Sequence, residues 1–206
     1  KRVCPPENIL IVTNSIYKEL VMSQLPEVTD EQVLCEPMRR NTAPCIAYAN
    51  YKIQKKNPDA TVVVAPSDHI VLNENEFVNT LQSALEAASE NEWLLTLGIQ
   101  PSRPDTGYGY IQYFDENPYP GDQQIRKVKT FTEKPNQEMA QIFFESGEFY
   151  WNAGIFFWSL PSILKAFEMQ PIRKTMEFVP VRKWKSPKGT WIFDTGQNAS
   201  GVARIN

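Results

Sequence analysis

Thr61-Val62-Val63-Val64-Ala65-Pro66-Ser67-Asp68-His69 is the stretch that decides the fold of this sequence. Its first five residues form a nearly continuous apolar run, which is typical of a strand covered on both faces, as in parallel sheets. The polar residues that follow would lie at the carboxyl end of that strand. Ligands of open α/β sheets bind in the crevice beyond the carboxyl ends of the strands, so a site is expected here.

The segments on either side of this strand alternate between strand and helix patterns. A long amphipathic helix is predicted over Glu74–Asn91, with Phe77, Leu81, Ala84, Leu85 and Ala88 facing inward. Further strands are predicted at Ile9–Thr13, Gln32–Cys35, Trp93–Ile99, Tyr110–Phe114, Ile125–Thr132 and Gly154–Ser159, and further helices at Ser15–Leu25, Asn136–Ser146 and from Thr42 and Pro161. The order predicts an α/β fold with a Rossmann-like, mostly parallel mixed sheet flanked by helices. Residues 1–168 form one domain in this interpretation, and residues 169–206 are a tail of uncertain structure.

Composition excludes several classes of partner. Net charge is −3, and no block of lysine and arginine is long enough to indicate a nucleic-acid or membrane surface. Three cysteines without a Cys-x-x-Cys pair favour a reducing compartment over a disulfide framework. No apolar run approaches the roughly 18 residues of a membrane helix, so the chain is expected in the cytoplasm.

Two strand ends carry charged residues suited to phosphate chemistry. Asp68 could bind Mg²⁺, which typically takes one or two protein carboxylates, although an aspartate that caps the next turn is the common alternative. Glu133 and Lys134 follow the strand that ends at Thr132. Lys134 would offer a positive charge to phosphates and Glu133 an acceptor to sugar hydroxyls. An exposed ion pair without function remains equally consistent with that pair.

Three other segments could touch a ligand. Gly109, in Gly107-Tyr108-Gly109-Tyr110, would let the backbone approach closely, though glycine pairs usually mark turns. Asn152 places an amide among aromatic residues, where a turn amide is the commoner explanation. Arg40, Asn41 and Thr42 precede a helix whose first N–H groups could meet an anion or a base, and helix capping explains the last two equally well.

Taken together and in order, these segments resemble the mannose-1-phosphate guanylyltransferase family. The segments are Glu36-Pro37-Met38-Arg39-Arg40-Asn41-Thr42-Ala43-Pro44, Pro66-Ser67-Asp68-His69, Gly107-Tyr108-Gly109-Tyr110-Ile111, Phe131-Thr132-Glu133-Lys134-Pro135 and Trp151-Asn152-Ala153-Gly154-Ile155-Phe156. The resemblance implies that Asp68 is a Mg²⁺ ligand near the α-phosphate of GTP and that Lys134 lies by the sugar phosphate. It also implies that Arg40, Asn41 and Thr42 lie near guanine, and that Gly109, Glu133 and Asn152 hold the mannose of mannose 1-phosphate.

The sequence departs from that family in two places. Family members begin with a strand and a glycine-rich loop that grips the nucleotide phosphates, and this sequence starts after both. The second metal-binding aspartate of the family has no clear counterpart in this sequence. Asp194 lies in the most similar local sequence. We therefore expect that segments of a longer protein are missing. An aromatic-rich surface near Phe143–Trp158 is compatible with a homodimer.

Two other classes of function stay open on the sequence alone. A non-catalytic nucleotide-sugar-binding paralogue would explain the missing loop and carboxylate. A metal-dependent glycosyltransferase usually carries an Asp-x-Asp motif at a strand end, where this sequence has only Asp68. A dinucleotide-binding function is disfavoured, because no Gly-x-Gly-x-x-Gly follows a predicted strand.

Overall fold

A computed structural model describes residues 2–36, 42–115, 119–122 and 124–168, together with the backbone of strands at 182–185 and 191–194. The chain divides into two compact units, 1–168 and 169–206. The helices of the first unit are α1 (Lys18–Gln24), α2 (Thr42–Gln54), α3 (Glu74–Glu90), α4 (Gln137–Ser146) and α5 (Leu160–Glu168). Its strands are β1 (Ile11–Thr13), β2 (Val33–Cys35), β3 (Thr61–Val64), β4 (Leu95–Ile99), β5 (Tyr110–Tyr113), β6 (Val128–Thr132) and β7 (Phe149–Ser159). In the second unit, β8 (Arg182–Lys185) pairs antiparallel with β9 (Trp191–Asp194).

The long strand β7 organises the larger sheet. On one edge, β3 pairs with its second half and β5 with its first half, both antiparallel. On the other edge runs β4, also antiparallel, and β6 pairs with the free side of β5. Strand β7 therefore touches three neighbours, and its side chains lie at the centre of the fold.

The predicted α/β class is confirmed, while the strand directions differ in detail from a mostly parallel sheet. Strands β1 and β2 form a parallel pair. Strands β3 and β4 run in the same direction, as the strand–helix alternation predicts, but β7 lies between them and makes each ladder antiparallel. Alternation along the chain reports the direction of consecutive strands, and it does not report that a later strand inserts between them.

Helix α3 covers one face of this sheet along the predicted stripe. Its start is fixed by Asn73, whose side chain accepts a hydrogen bond from the backbone N–H of Glu76 at 3.3 Å. Leu81 and Ala88 are buried against Ile155 and Phe157 of β7, and the other predicted inward residues pack on the same cluster: Phe77, Ala84 and Leu85. The predicted apolar face of the helix is confirmed.

Four of the eight aromatic residues of β7 and α4 are buried, and the other four are half-buried. Phe143, Trp151, Phe157 and Trp158 are 8%, 6%, 1% and 5% exposed. The expectation of an aromatic surface in this segment is wrong, because β7 is central and helices and neighbouring strands cover it. The homodimer inferred from that surface stays a prediction without this support.

Two further findings bear on where the chain works. Cys4, Cys35 and Cys45 are free thiols. Within the described residues, none of the helices has the length and apolar character needed to cross a membrane. The cytoplasmic location stays a prediction.

Candidate functional site

Three predicted ligand contacts lie side by side where β6, β5 and β7 meet. Tyr110 of β5 lies opposite both Thr132 of β6 and Trp151 of β7. The adjoining residues, Glu133, Gly109 and Asn152, therefore form a line across three strands, which we call the cross-strand row. The backbone N–H of Asn152 donates to the carbonyl oxygen of Gly109 at 2.8 Å, so the row is held by the main chain.

Gly109 occupies a place where a side chain would crowd its neighbours. The residue is buried, and a Cβ atom added to it would lie 3.0 Å from Glu133 Oε2 and 3.0 Å from Phe131 Cζ. Both distances are shorter than ordinary carbon contacts. The glycine therefore leaves the Glu133 carboxylate close to the backbone just before β5, and the close approach of Gly109 to a ligand stays a prediction.

Lys134 lies beside the row in an unusual backbone conformation. Its φ is +39°, in the left-handed region that non-glycine residues seldom occupy. Its ammonium nitrogen lies 3.6 Å from Glu133 Oε1, and the two side chains are 64% and 62% exposed. Such an exposed pair adds little to stability, so the charge of Lys134 remains available to an anion. Strained residues cluster at ligand sites, which agrees with that assignment.

Asp68 lies on the loop that follows β3. This loop approaches β7 near Asn152. A Cβ added to Gly154 would lie 3.5 Å from Pro66 Cγ, which places the loop two residues along β7 from Asn152. The Asp68 side chain is exposed, and its carboxylate makes no hydrogen bond or ion pair with another described residue. The neighbouring His69 is exposed as well.

Of the three residues predicted to lie near guanine, the structure describes one. Thr42 is the first residue of α2 and is exposed. Among the described residues it makes no contact that joins it to the cross-strand row. Arg40 and Asn41 lie outside the described residues.

An aromatic stack next to Asn152 was not singled out from the sequence as part of the site. The ring of Tyr108 lies on that of Trp151 at 4.8 Å with an interplanar angle of 26°. The guanidinium of Arg103 lies 5.3 Å from the Trp151 ring centroid. These contacts cover the indole of Trp151, the residue that precedes Asn152 on β7. In the sequence, the only indication of this stack was that Trp151 directly precedes Asn152 within a segment rich in aromatic residues.

Asp105 orders the loop that leads into Gly109. Its carboxylate accepts from the backbone N–H of Gly107 at 2.8 Å and from Arg103 at 2.5 Å. The Tyr110 hydroxyl accepts from the Asp105 backbone N–H and donates to its carbonyl oxygen. The Gly107 N–H and the Arg103 guanidinium both lower the pKa of the Asp105 carboxyl. Asp-x-Gly is a turn pattern that the sequence does display.

Thr96, on β4, is another residue that sequence reasoning missed. Its hydroxyl donates to Asn152 Oδ1 at 2.7 Å. It is a polar residue inside the otherwise apolar strand Leu95–Ile99, and such a residue needs a partner when it is partly buried. That mismatch was the signal in the sequence.

Known proteins with similar sequences point to one family. The family described as Nucleotidyl transferase matches residues 5–174. A protein of Escherichia coli named mannose-1-phosphate guanylyltransferase is 35% identical over 168 residues, covering 78% of this chain and 35% of its own length. A protein of the same name from Sinorhizobium fredii is 38% identical over 162 residues, covering 77% of this chain and 31% of its own length. The chain thus spans about a third of the length of these relatives.

Solved structures agree with the sequence relatives. A Thermus thermophilus structure described as mannose-1-phosphate geranyltransferase superposes with a TM-score of 0.70 at 26% identity, covering 81% of this chain and 46% of that one. A Helicobacter pylori structure described as mannose-6-phosphate isomerase gives a TM-score of 0.68 at 27% identity, covering 80% and 60%. The family match takes in the cross-strand row, the Asp68 loop and the strands that hold them, and it confirms the family resemblance drawn from the sequence motifs. By this match over most of its length, the chain belongs to the nucleotidyl transferase family.

Proposed function

We propose that this chain belongs to an enzyme that transfers a guanylyl group from GTP to mannose 1-phosphate, giving GDP-mannose and pyrophosphate. Support comes from its membership of the nucleotidyl transferase family and from relatives named for that activity. The cytoplasmic location belongs to the same proposal, since the three free thiols suit a reducing compartment.

The observation that carries the proposal is the cross-strand row with Lys134 at its end. Glu133 can accept hydrogen bonds from sugar hydroxyls, and Asn152 can contact another hydroxyl across the gap at Gly109. Lys134, next in sequence to Glu133, adds a positive charge where a phosphate attached to that sugar would need one. Hydroxyl contacts beside a cationic group match the chemistry of a hexose 1-phosphate.

The proposed reaction needs no general base or nucleophilic side chain. A phosphate oxygen of the sugar phosphate attacks the α-phosphorus of GTP, a new P–O bond forms, and the bond to pyrophosphate breaks. The attacking oxygen is already anionic, so the residues act by positioning and by neutralising charge. Lys134 lowers the repulsion between the two anions, and the cross-strand row fixes the sugar.

Asp68 fits a Mg²⁺ ion that is shared with substrate phosphates. Its carboxylate is exposed and free of protein partners in the described part of the chain. Groups of three or more metal-binding side chains do not occur in that part either. Mg²⁺ is commonly held by one or two carboxylates plus phosphate oxygens and water, so a single aspartate suits it. When bound, such an ion neutralises phosphate charge.

The test is pyrophosphate release by the purified protein over a matrix of nucleoside triphosphates and hexose 1-phosphates, with Mg²⁺. We expect release only with GTP and mannose 1-phosphate. Asp59→Asn, at an exposed position outside the site, serves as the control for Asp68→Asn. Release with another pair would correct the substrate and keep the reaction class.

Two outcomes would overturn the proposal. Binding of GDP-mannose without pyrophosphate release from any pair would identify a binding protein. Consumption of GDP-mannose in the presence of an acceptor sugar, again without pyrophosphate chemistry, would identify a glycosyltransferase.

A further inference from the structure

The carboxamide of Asn152 is held in one orientation by two protein donors. Its Oδ1 accepts from the Thr96 hydroxyl at 2.7 Å and from the backbone N–H of Gly154 at 3.1 Å. An amide oxygen has two lone pairs, so these two bonds use its accepting capacity. Rotating the amide by half a turn would place its NH₂ group against the N–H of Gly154, which is unfavourable.

Thr96 makes the shorter of the two contacts, while the Gly154 N–H, which can only donate, decides which way round the amide lies. The Thr96 hydroxyl lies 2.7 Å from Asn152 Oδ1 and 3.2 Å from the carbonyl oxygen of Ile155. A hydroxyl has one proton to donate, and the shorter contact is the better donor geometry. Thr96 lies on β4 opposite Phe156, so the sheet fixes the position from which it reaches Asn152.

The amide nitrogen is left for the ligand. Within the described residues, Asn152 Nδ2 makes no hydrogen bond, and the Asn152 side chain is partly exposed. The NH₂ group can only donate, whereas the ionised carboxylate of Glu133, on the other side of Gly109, can only accept. The two ends of the cross-strand row therefore have opposite hydrogen-bonding polarity.

We propose that Thr96 is a positioning residue which, together with the Gly154 N–H, holds the Asn152 amide with its NH₂ group toward the ligand, so that the sugar hydroxyl at Asn152 is read as an acceptor and the one at Glu133 as a donor. This deepens the proposed function and rests on it for the identity of the sugar. The orientation of the amide does not rest on it, because both restraints come from the protein itself.

The activity test compares Thr96→Val, which keeps the shape and removes the hydroxyl, with Thr96→Ser, which restores it. We expect Thr96→Val to raise KM for mannose 1-phosphate about 5- to 10-fold, with kcat and the KM for GTP changed less than about twofold, because one hydrogen bond is lost. Thr96→Ser should return KM to within about twofold of the original, since its hydroxyl can make the same bond. Thr80→Val is the matched control, since the Thr80 hydroxyl bonds only its own helix at 2.9 Å. An unchanged KM in Thr96→Val, or a serine variant that behaves like valine, would overturn the positioning role.

A second measurement is independent of activity. The side-chain NH₂ signals of Asn152 in a ¹⁵N-correlated NMR spectrum can be assigned by their loss in Asn152→Asp. We expect them to shift in Thr96→Val and to return in Thr96→Ser. Signals that stay in place in Thr96→Val would refute the restraint. If the NMR shift is observed but the unsubstituted protein releases no pyrophosphate, the proposed function is wrong. The inferred orientation of the amide would then still stand.

Discussion

The two sides of the candidate site are built in different ways. The cross-strand row is fixed by pairing between β5, β6 and β7 and by bonds such as Asn152 N–H to the Gly109 carbonyl at 2.8 Å. The charged residues, Asp68 and Lys134, lie on the loops just beyond strands, are exposed and make few bonds of their own. The backbone of the row is held by the sheet, although the Glu133 side chain is 62% exposed, while the charged side chains of Asp68 and Lys134 are free to interact with ions and phosphates.

This difference follows from what each side must recognise. A sugar is distinguished by the direction of its hydroxyls, so its contacts must be held in place before it binds. Phosphate and metal charge are less directional, and loop carboxylates and ammonium groups can adjust to them. Substitutions on the charged side should therefore change turnover, while substitutions in the row should change the KM for the sugar phosphate.

The largest effect is expected from Asp68→Asn. Removal of the charge should lower kcat about 10²- to 10³-fold, in the range seen when one electrostatic contact to a transition state is lost. Thermal stability should not change, because the carboxylate has no protein partner in the described part of the chain. Steady-state pyrophosphate release and a melting curve would check both, with Asp59→Asn as the control. Near-normal turnover would remove Asp68 from the site.

Replacement of Lys134 should lower kcat on the order of 10²-fold. At this position two variants with similar turnover should differ in stability. Both Lys134→Ala and Lys134→Gly remove the charge and should lose similar turnover. The glycine variant should be about 0.5–1 kcal/mol more stable to unfolding than the alanine variant, because φ at this position is +39° and glycine adopts it without strain. Urea unfolding would measure the difference. Equal stabilities would show that the backbone is not strained in solution.

The contrast between the two sides also explains what the sequence could predict. Motif residues such as Glu133 and Asn152 could be named from the sequence, because their types and order resemble one family. Their partners could not be named, since Thr96 is 56 residues from Asn152 along the chain and meets it only when β4 pairs with β7. Likewise, periodicity predicted the buried stripe of α3, but it could not show that β7 inserts between β3 and β4. Local patterns report local structure, and contacts between distant strands depend on the fold.

Gly109→Ala tests the row itself. The added Cβ would displace the Glu133 carboxylate, which would lie 3.0 Å away, and KM for mannose 1-phosphate should rise about 10-fold with a small change in kcat. A double-mutant cycle with Glu133→Ala provides the control. If the methyl group acts through Glu133, the double variant should be no worse than Glu133→Ala alone. Additive losses would instead mean that the methyl group acts by another route, through Phe131, whose Cζ would also lie 3.0 Å away, or through the backbone approach of Gly109 to the ligand.

The smallest effect is expected from Asp105→Asn, and it should depend on pH. The Gly107 N–H and the Arg103 guanidinium hold the pKa of Asp105 below its ordinary value of 3.8. A carboxyl whose pKa is lower in the folded state contributes stability above the unfolded pKa and loses it as pH falls through the folded pKa. The carboxamide introduced by Asp105→Asn would lose the negative charge beside Arg103 but would still accept from the Gly107 N–H. This variant should therefore unfold at a urea concentration only slightly lower than that of the original protein at pH 7. The two urea midpoints should converge as the pH falls below about 3.8. A difference that persists at the lowest pH at which the protein stays folded would show that Asp105 orders the loop by shape rather than by charge, and that the loop before Gly109 belongs with the rigid side of the site.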